Sequence, residues 1–444
     1  MSEAALGATG LAGRAGGEAS AAGTNDVAAK DVGVLANRLA EALGGIAVRG
    51  VVGAVVAGDT DGAAIADQAD GAVVGDKADA QSWAAPGYGP QIAFEGDDGR
   101  FRSGVTPLLE YGLLKVHGVE AAAFLQAQLT NDVASMADGE LRLAGYCSVK
   151  GRLMASFWVW RDTARQAFWL ACSRDIAAAT AKRLGMFVLR AKVRVEDVSG
   201  SIALLGILRV ADDGPVLPPQ DPAAFGEVAL PPVLLSSSLA AGLNPAAVET
   251  AADVEVSRAL QPVAVEALDQ TLQHLKASGV RLLSTQVWRR LEVLSGVARI
   301  NAANRELFVP QMVNFELVGG VSFKKGCYPG QEVVARSQYL GKLKRRMFLG
   351  VGAGTAPPPG VDVQGAIATE PVGQVVMAAS LGVGNRFAVL FESLTAAVAP
   401  AVDSRGVTLR IGQSPLSPLP LPYPVPVAAA SAVGRKAAAP DAAG

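Results

Sequence analysis

From residue 104 onward, apolar positions follow two periods in turn, every second residue and then every three to four, and this alternation predicts interleaved strands and helices. Leu109 to Val116 reads as a strand with Tyr111, Leu113 and Lys115 on one face and Gly112, Leu114 and Val116 on the other. Gly118 interrupts it, and Val119 to Leu129 has helical spacing, with Phe124, Leu125, Gln128 and Leu129 on adjacent turns. Leu141–Cys147, Arg152–Trp160 and Ala167–Cys172 alternate as strands of an antiparallel sheet, with Lys150-Gly151 as the turn between the first two. A helix over Asp175–Phe187 and strands over Val193–Val198 and Ile202–Leu208 follow. Residues 211–262, rich in proline, serine and alanine, predict a variable, loop-rich insertion, and Val263–Ala277 predicts a helix opening after Pro262. In the helix expected over Thr285–Leu294, Val287, Leu291 and Leu294 form a core stripe, while Trp288 and Glu292 lie one turn apart on an adjoining face. Strands at Phe348–Val351, Gly373–Met377, Arg386–Leu390 and Val407–Ile411 mark an all-β C-terminal unit, closed by an extended proline-rich run from Pro415 to Pro426. The fold class is α+β, in layers.

The flanks follow neither period. Residues 1–100 are rich in alanine, glycine and aspartate, with no aromatic residue before Trp83, and bury too little apolar surface to offset their ordering entropy. They predict a mostly disordered segment, with one short helix at Asp31–Leu43 ended by Gly44-Gly45. The spaced glycines Gly7, Gly10 and Gly13 follow no strand and read as low complexity rather than a dinucleotide loop. Residues 428–444 predict a disordered, alanine-rich tail.

One stretch concentrates chemistry. Lys324-Lys325-Gly326-Cys327-Tyr328-Pro329-Gly330-Gln331-Glu332 places a cysteine and two lysines beside a Pro-Gly turn and a helix start. The helix would carry Glu332 and Arg336 as an i,i+4 pair, with Gly341 as its C-terminal cap. A thiol there meets the positive end of the helix dipole and neighbouring ammonium groups, which favour thiolate, so Cys327 is the candidate reactive cysteine and Lys325 its activator. The plain alternative is a small buried hydrophobe beside a solvated ion pair. Downstream, Lys342, Lys344, Arg345 and Arg346 form a basic cluster, either a solvated helix end or an attractor of acidic groups.

Composition narrows the functions. A net charge of -2 offers no basic excess for nucleic acid or an anionic membrane, and no apolar run is long enough to span a bilayer. The start, Met1-Ser2-Glu3, has the form of neither a signal nor a transit peptide, so a cytoplasmic location is expected. Three cysteines, Cys147, Cys172 and Cys327, without close spacing argue against a disulfide framework, and with only two histidines no protein-held metal site is expected.

The pattern Lys325-Gly326-Cys327-Tyr328-x-Gly330-Gln331-Glu332-x-x-Ala335-Arg336 resembles the signature of the YgfZ-type folate-binding proteins, relatives of the aminomethyltransferase (T-protein) of the glycine cleavage system. Phe308–Asn314 and Gly319–Phe323 are similar to that family's approach to its cysteine, Gly118–Val133 to its first block and Lys150-Gly151-Arg152 to its second, so the resemblance spans roughly residues 103–425. It implies T-protein-like folate-binding domains with antiparallel sheets over 101–346 and a small C-terminal β-barrel over 347–427. It further implies a tetrahydrofolate or related ligand, contacted by Tyr111 and Trp288. A flat pterin with a polar edge needs an aromatic face and a hydrogen-bonding side chain, for which Glu292 and Asn314 are the candidates. Gly326, Tyr328, Gly330, Gln331, Glu332 and Arg336 would shape the motif.

The function implied is that of an accessory protein supporting iron-sulfur cluster assembly or repair, including for tRNA-modifying iron-sulfur enzymes, with folate and iron-sulfur proteins or their assembly factors as partners. The alternative is an aminomethyltransferase-type one-carbon transfer enzyme, using a carboxylate such as Asp132. Against the family pattern, Val297-Ala298 lacks a proline common after Gly296, Ser148 stands where an acidic residue is frequent, and residues 1–100 have no counterpart.

Overall fold

The computed structural model describes residues 98–211, 213, 226–236, 239, 253–339, 343–365, 370–402 and 409–426. Residues 1–97 of the segment expected to be disordered over 1–100, its short helix, the C-terminal tail, Leu340, Gly341 and Lys342 lie outside the described residues.

The first layer is a five-stranded antiparallel sheet built from β2 (Tyr111–His117), β3 (Leu141–Cys147), β4 (Leu153–Asp162), β5 (Ala167–Ser173) and β6 (Arg194–Asp197), in the order β3-β4-β5-β2-β6. The strand period fixes its two faces. Leu114 and Val116 of β2 point toward α1 (Ala121–Gln128) and α2 (Arg174–Gly185), where Phe124, Leu125, Ile176 and Leu184 cover them. Tyr111 and Leu113, one residue out of phase, point to the opposite face and into the main core.

The second layer is a four-stranded antiparallel sheet of β1 (Gly104–Pro107), β7 (Ile202–Val210), β8 (Val228–Leu235) and β9 (Val254–Ala264), in the order β1-β7-β9-β8. Its outer face is covered by α3 (Leu268–Ala277) through Leu268, Leu272 and Leu275. Its inner face meets the five-stranded sheet in one continuous core shared with α4 (Thr285–Leu294). Ser284 caps α4 by accepting a hydrogen bond from the Gln286 N–H.

The four-stranded sheet corrects two expectations. The stretch 211–262, read as a loop-rich insertion, supplies both β8 and most of β9. Pro231-Pro232 had argued against a strand, but β8 is an edge strand and its pairing with β9 shifts register between Leu230 and Val233, which accommodates both prolines. The helix expected from Val263 opens only at Leu268, because Val263 and Ala264 are still paired with Ala203 and Ile202.

After the signature helix α5 (Gln331–Tyr339), the chain enters a closed six-stranded barrel of β10 (Arg345–Ala353), β11 (Asp362–Gln364), β12 (Pro371–Ser380), β13 (Arg386–Leu394), β14 (Leu409–Ile411) and β15 (Ser414–Leu419). The proline-rich run closes it, with β15 pairing against β10 from Leu349 to Val351. A helix that the pattern did not predict, α6 (Thr395–Val402), follows β13. The outer side of the barrel packs on the main core through Met347, Leu349 and Leu390, so barrel and layers share apolar surface.

The signature turn fastens this arrangement. Gly330 sits at φ +78°, and a Cβ there would lie 2.3 Å from the Ser148 carbonyl oxygen and 2.7 Å from the Gly151 Cα. Only glycine allows the Pro329-Gly330 turn to press backbone to backbone on the β3–β4 hairpin. Substituting Gly330→Ala is expected to cost about 2 kcal/mol or more, the left-handed penalty plus displacement of the hairpin. Urea unfolding should show a lowered midpoint at unchanged slope; an unchanged midpoint would mean that the turn is not a tight joint.

Candidate functional site

The site is assembled where the two sheets face each other over α4. Tyr111, at the start of β2, is 4% exposed and donates its hydroxyl hydrogen bond to Oε1 of Glu292, which is 6% exposed. Arg299, in the loop after α4, completes the cluster. Its Nη2 lies 3.3 Å from Glu292 Oε2 and 3.3 Å from Glu110 Oε2, and its guanidinium is 4.7 Å from the centre of the Tyr111 ring. Arg289 donates a 2.8 Å hydrogen bond to the same Glu110 oxygen. Arg258 of β9, 4% exposed, faces the same space.

These groups shift one another's proton affinities. Burial raises the Glu292 carboxyl above its ordinary value of 4.5, opposed by Arg299 and reinforced by Glu110. Burial also acts on Glu110, but Arg299 and Arg289 outweigh it and hold that carboxyl below its ordinary value. Tyr111 is pushed well up by burial and by the neighbouring Glu292. Burial lowers Arg258, whereas the two carboxylates lift Arg299 despite its burial.

At the centre is a cavity of about 20 Å³, lined by Tyr111, Ser156, Arg258, Glu292 and Arg299 among others. That is room for one water, not for a flat heterocycle. Two polar atoms on its lining residues lack hydrogen-bond partners among the described residues: Oε2 of Glu292, within ion-pair range of Arg299 but without a donor aligned on it, and Nε of Arg258. A buried acceptor and a buried donor left unmet are costly, and a ligand carrying both complements would relieve both.

Other candidates sit elsewhere. Trp288 is 0% exposed and does not line the cavity; a Cβ on Gly206 would lie 2.5 Å from its ring, and Arg258 stands 5.9 Å over it. The indole is therefore core packing beside the cavity and not an open stacking face. Asn314, at φ +55° after a short 3-10 turn (Pro310–Val313), spends its amide on the barrel, donating to the Met347 carbonyl at 2.8 Å. It is a structural pin, not a cavity group. The basic cluster is also resolved differently: Arg345 pairs with Glu392, and Arg346 with Glu316 and the Gln311 carbonyl, so both arginines serve the barrel.

The signature residues form a second, separate site. Cys327 is exposed, whereas Cys147 and Cys172 are buried, and burial pushes the Cys147 thiol up to about 12. Lys325 donates to the carbonyls of Gln126 and Leu129, the latter at 2.7 Å, and so neutralises the negative end of α1. Its ammonium stands 4.9 Å over the Tyr328 ring, and burial lowers its pKa to about 8, against the pull of Asp132 and Cys327. Tyr328 is buried, Gly326 is exposed, and Gln331 opens α5. Glu332 and Arg336 are both exposed and, among the described residues, no ion pair joins them, so the expected i,i+4 pair is not made. Asp132 lies near Lys325 and accepts a 2.8 Å hydrogen bond from Ser135, which lowers its carboxyl; it does not line the cavity.

Glu110, Arg258 and Arg299 were missed in the sequence. One signal was present: Arg258 is a lone cation in the run Val254–Ala264, where an apolar strand needs a reason to bury a charge. Among the described residues no group of three His, Cys, Asp or Glu side chains is placed to hold a metal ion, and no helix is long and apolar enough to cross a membrane.

The layered sheets and terminal barrel are the fold of the glycine cleavage aminomethyltransferases. The aminomethyltransferase T of the glycine cleavage system from Bartonella henselae matches with a TM-score of 0.52 at 16% identity, covering 73% of this chain and 87% of that one. No protein-family model matches the chain. Among curated proteins it is 29% identical over 260 residues to the tRNA-modifying protein YgfZ of Sodalis glossinidius, covering 57% of this chain and 73% of that protein. It is 28% identical over 270 residues to the YgfZ of Photobacterium profundum, covering 60% and 76%. The chain is a relative of the YgfZ proteins.

The cluster makes a pH-dependent prediction. Because the folded state raises Glu292, that group binds its proton more tightly folded than unfolded, so its contribution is present below pH 4.5 and is lost as pH rises through the folded value. Wild type should therefore lose stability relative to Glu292→Gln between pH 4.5 and neutrality, read by urea unfolding across that range. A difference that is flat or rises with pH would contradict the assigned environment.

Proposed function

We propose that the chain is a folate-binding accessory protein that supports iron-sulfur cluster assembly or repair, including for tRNA-modifying iron-sulfur enzymes, with Cys327 as its reactive group. The observation that carries the folate part is the cavity between the sheets, where a buried carboxylate oxygen of Glu292 and a buried N–H of Arg258 both lack hydrogen-bond partners among the described residues. A pterin edge presents N–H donors and a carbonyl acceptor side by side, which is the complement of that pair. The donor set fits; the space, at about 20 Å³, does not until the wall formed by Val297 and Ala298 withdraws, so binding is coupled to opening of the loop after α4.

When bound, tetrahydrofolate supplies a carrier for one-carbon units. The chain's own residues would do the rest. Glu292 accepts from the pterin edge, Tyr111 holds Glu292 in place through its hydroxyl, and Arg299 compensates the charge of Glu292 and Glu110. Trp288 supports this group from behind through Arg258 and Gly206. Residues 101–346 would form the folate-binding region and 347–427 the barrel that braces it.

The thiol part rests on contrast. Of three cysteines, only Cys327 is exposed, on a turn that Gly330 and Lys325 hold against the body of the fold. Lys325 stands on the same loop, its ammonium held by the carbonyls of Gln126 and Leu129. The relatives named tRNA-modifying proteins agree with a role connected to tRNA modification.

Two measurements test this reading. Tetrahydrofolate titrated into the full chain by calorimetry, beside an assay of methylene transfer from an aminomethyl-lipoyl carrier protein, should show binding without transfer. Binding with turnover would make the chain a one-carbon transferase, and no binding would remove folate. Cys327→Ser should leave the unfolding free energy within about 0.5 kcal/mol of wild type, because the thiol is exposed, yet abolish support of iron-sulfur enzyme activity in cells relying on it. Full support by the variant would refute the thiol role.

A further inference from the structure

We propose that Arg258 is a specificity-determining residue that reads the carbonyl oxygen at position 4 of a pteridine ligand, so that the cavity selects 4-oxo over 4-amino pteridines. The inference rests on the folate reading of the same cavity and adds to it a discrimination that the aromatic and carboxylate groups alone would not supply.

The argument starts from position and burial. Arg258 lies in the middle of β9, paired opposite Leu208 and Leu230, with its side chain 4% exposed. Its Nη2 donates to the Pro231 carbonyl at 3.2 Å, which anchors the guanidinium on the edge strand. Its Nε lacks a hydrogen-bond partner among the described residues, and the residue lines the cavity, where it feels the Glu292 carboxylate. A guanidinium carries only donors, so whatever it meets in the cavity must accept.

Glu292 lines the same cavity and, when ionised, carries only acceptors. The two residues therefore define an ordered requirement: donor on the ligand toward Glu292, acceptor on the ligand toward Arg258. The 2-amino-4-oxo edge of a folate meets it, with the 2-amino group and N3–H facing the carboxylate and the 4-oxo oxygen facing Arg258. In the 4-amino analogue the group at position 4 is a donor and N3 has no proton, so Arg258 would face N–H against N–H. Selectivity of this kind comes from leaving buried polar groups unmatched, which costs more than the missing contact itself.

The test compares tetrahydrofolate with its 4-amino analogue bearing the same tail, each titrated into the full chain and into Arg258→Met. Wild type is expected to favour the 4-oxo ligand, and Arg258→Met should shift the ratio of the two dissociation constants by about tenfold or more toward the 4-amino ligand. Arg258→Lys, which keeps the charge and a donor, guards against a misfolded methionine variant and should shift the ratio less than Arg258→Met. If both ligands weaken equally in both variants, Arg258 only holds the wall and the inference fails while the folate reading stands. If neither ligand binds wild type, both fail together.

Discussion

Two carboxylates held at one guanidinium, deep between two sheets, constrain this molecule more than any other contact. Glu110 and Glu292 both lie 3.3 Å from Arg299 Nη2, with Arg289 a second cation on Glu110 and the Tyr111 hydroxyl donating to Glu292. Removing Arg299 would leave Glu292 buried without its ion-pair partner, a loss that typically costs about 3–5 kcal/mol. Arg299 ties down the loop from Ser295 to Ile300, and Ser295, Val297 and Ala298 of that loop line the cavity with it. The seam between the sheets is thus polar at one point within an otherwise apolar core, and that point is where a ligand's hydrogen bonds have value.

The signature works at a distance from this cluster and by different physics. Gly330 allows close backbone approach, Lys325 neutralises the end of α1, and Gln311 donates to the carbonyl of Val334 within α5. All of these interactions hold the turn still while leaving Cys327 in solvent. No residue of the turn lines the cavity. The two sites therefore use different parts of the β3–β4 hairpin: Leu143, Ser156 and Phe157 border the cavity, and Ser148 and Gly151 carry the turn.

Much of this was legible because local periods matched global packing. The faces of β2 separated Tyr111 and Leu113 from Leu114 and Val116 as alternation requires, and α4 spans Thr285–Leu294 as its stripe predicts. The four-stranded sheet was hidden because β8 breaks its own pattern with two prolines and β9 buries residues on both faces, leaving no alternation to read. The site was half legible. Tyr111 and Glu292 stand on predicted elements, but their meeting joins residues 181 positions apart, and Arg299 belongs to a loop without periodicity. Trp288 and Asn314 are found buried and engaged with the fold, because an aromatic ring and an amide serve packing and backbone as readily as a ligand.

The central claim is that ligand binding occurs at the Tyr111–Glu292–Arg299 cluster and opens the loop after α4, apart from the Cys327 turn. Hydrogen exchange of the full chain with and without saturating tetrahydrofolate tests it most directly. Altered exchange is predicted at residues 295–300 and along the first turn of β2, with residues 324–331 unchanged. Protection confined to 324–331, or none at the loop, would contradict the account.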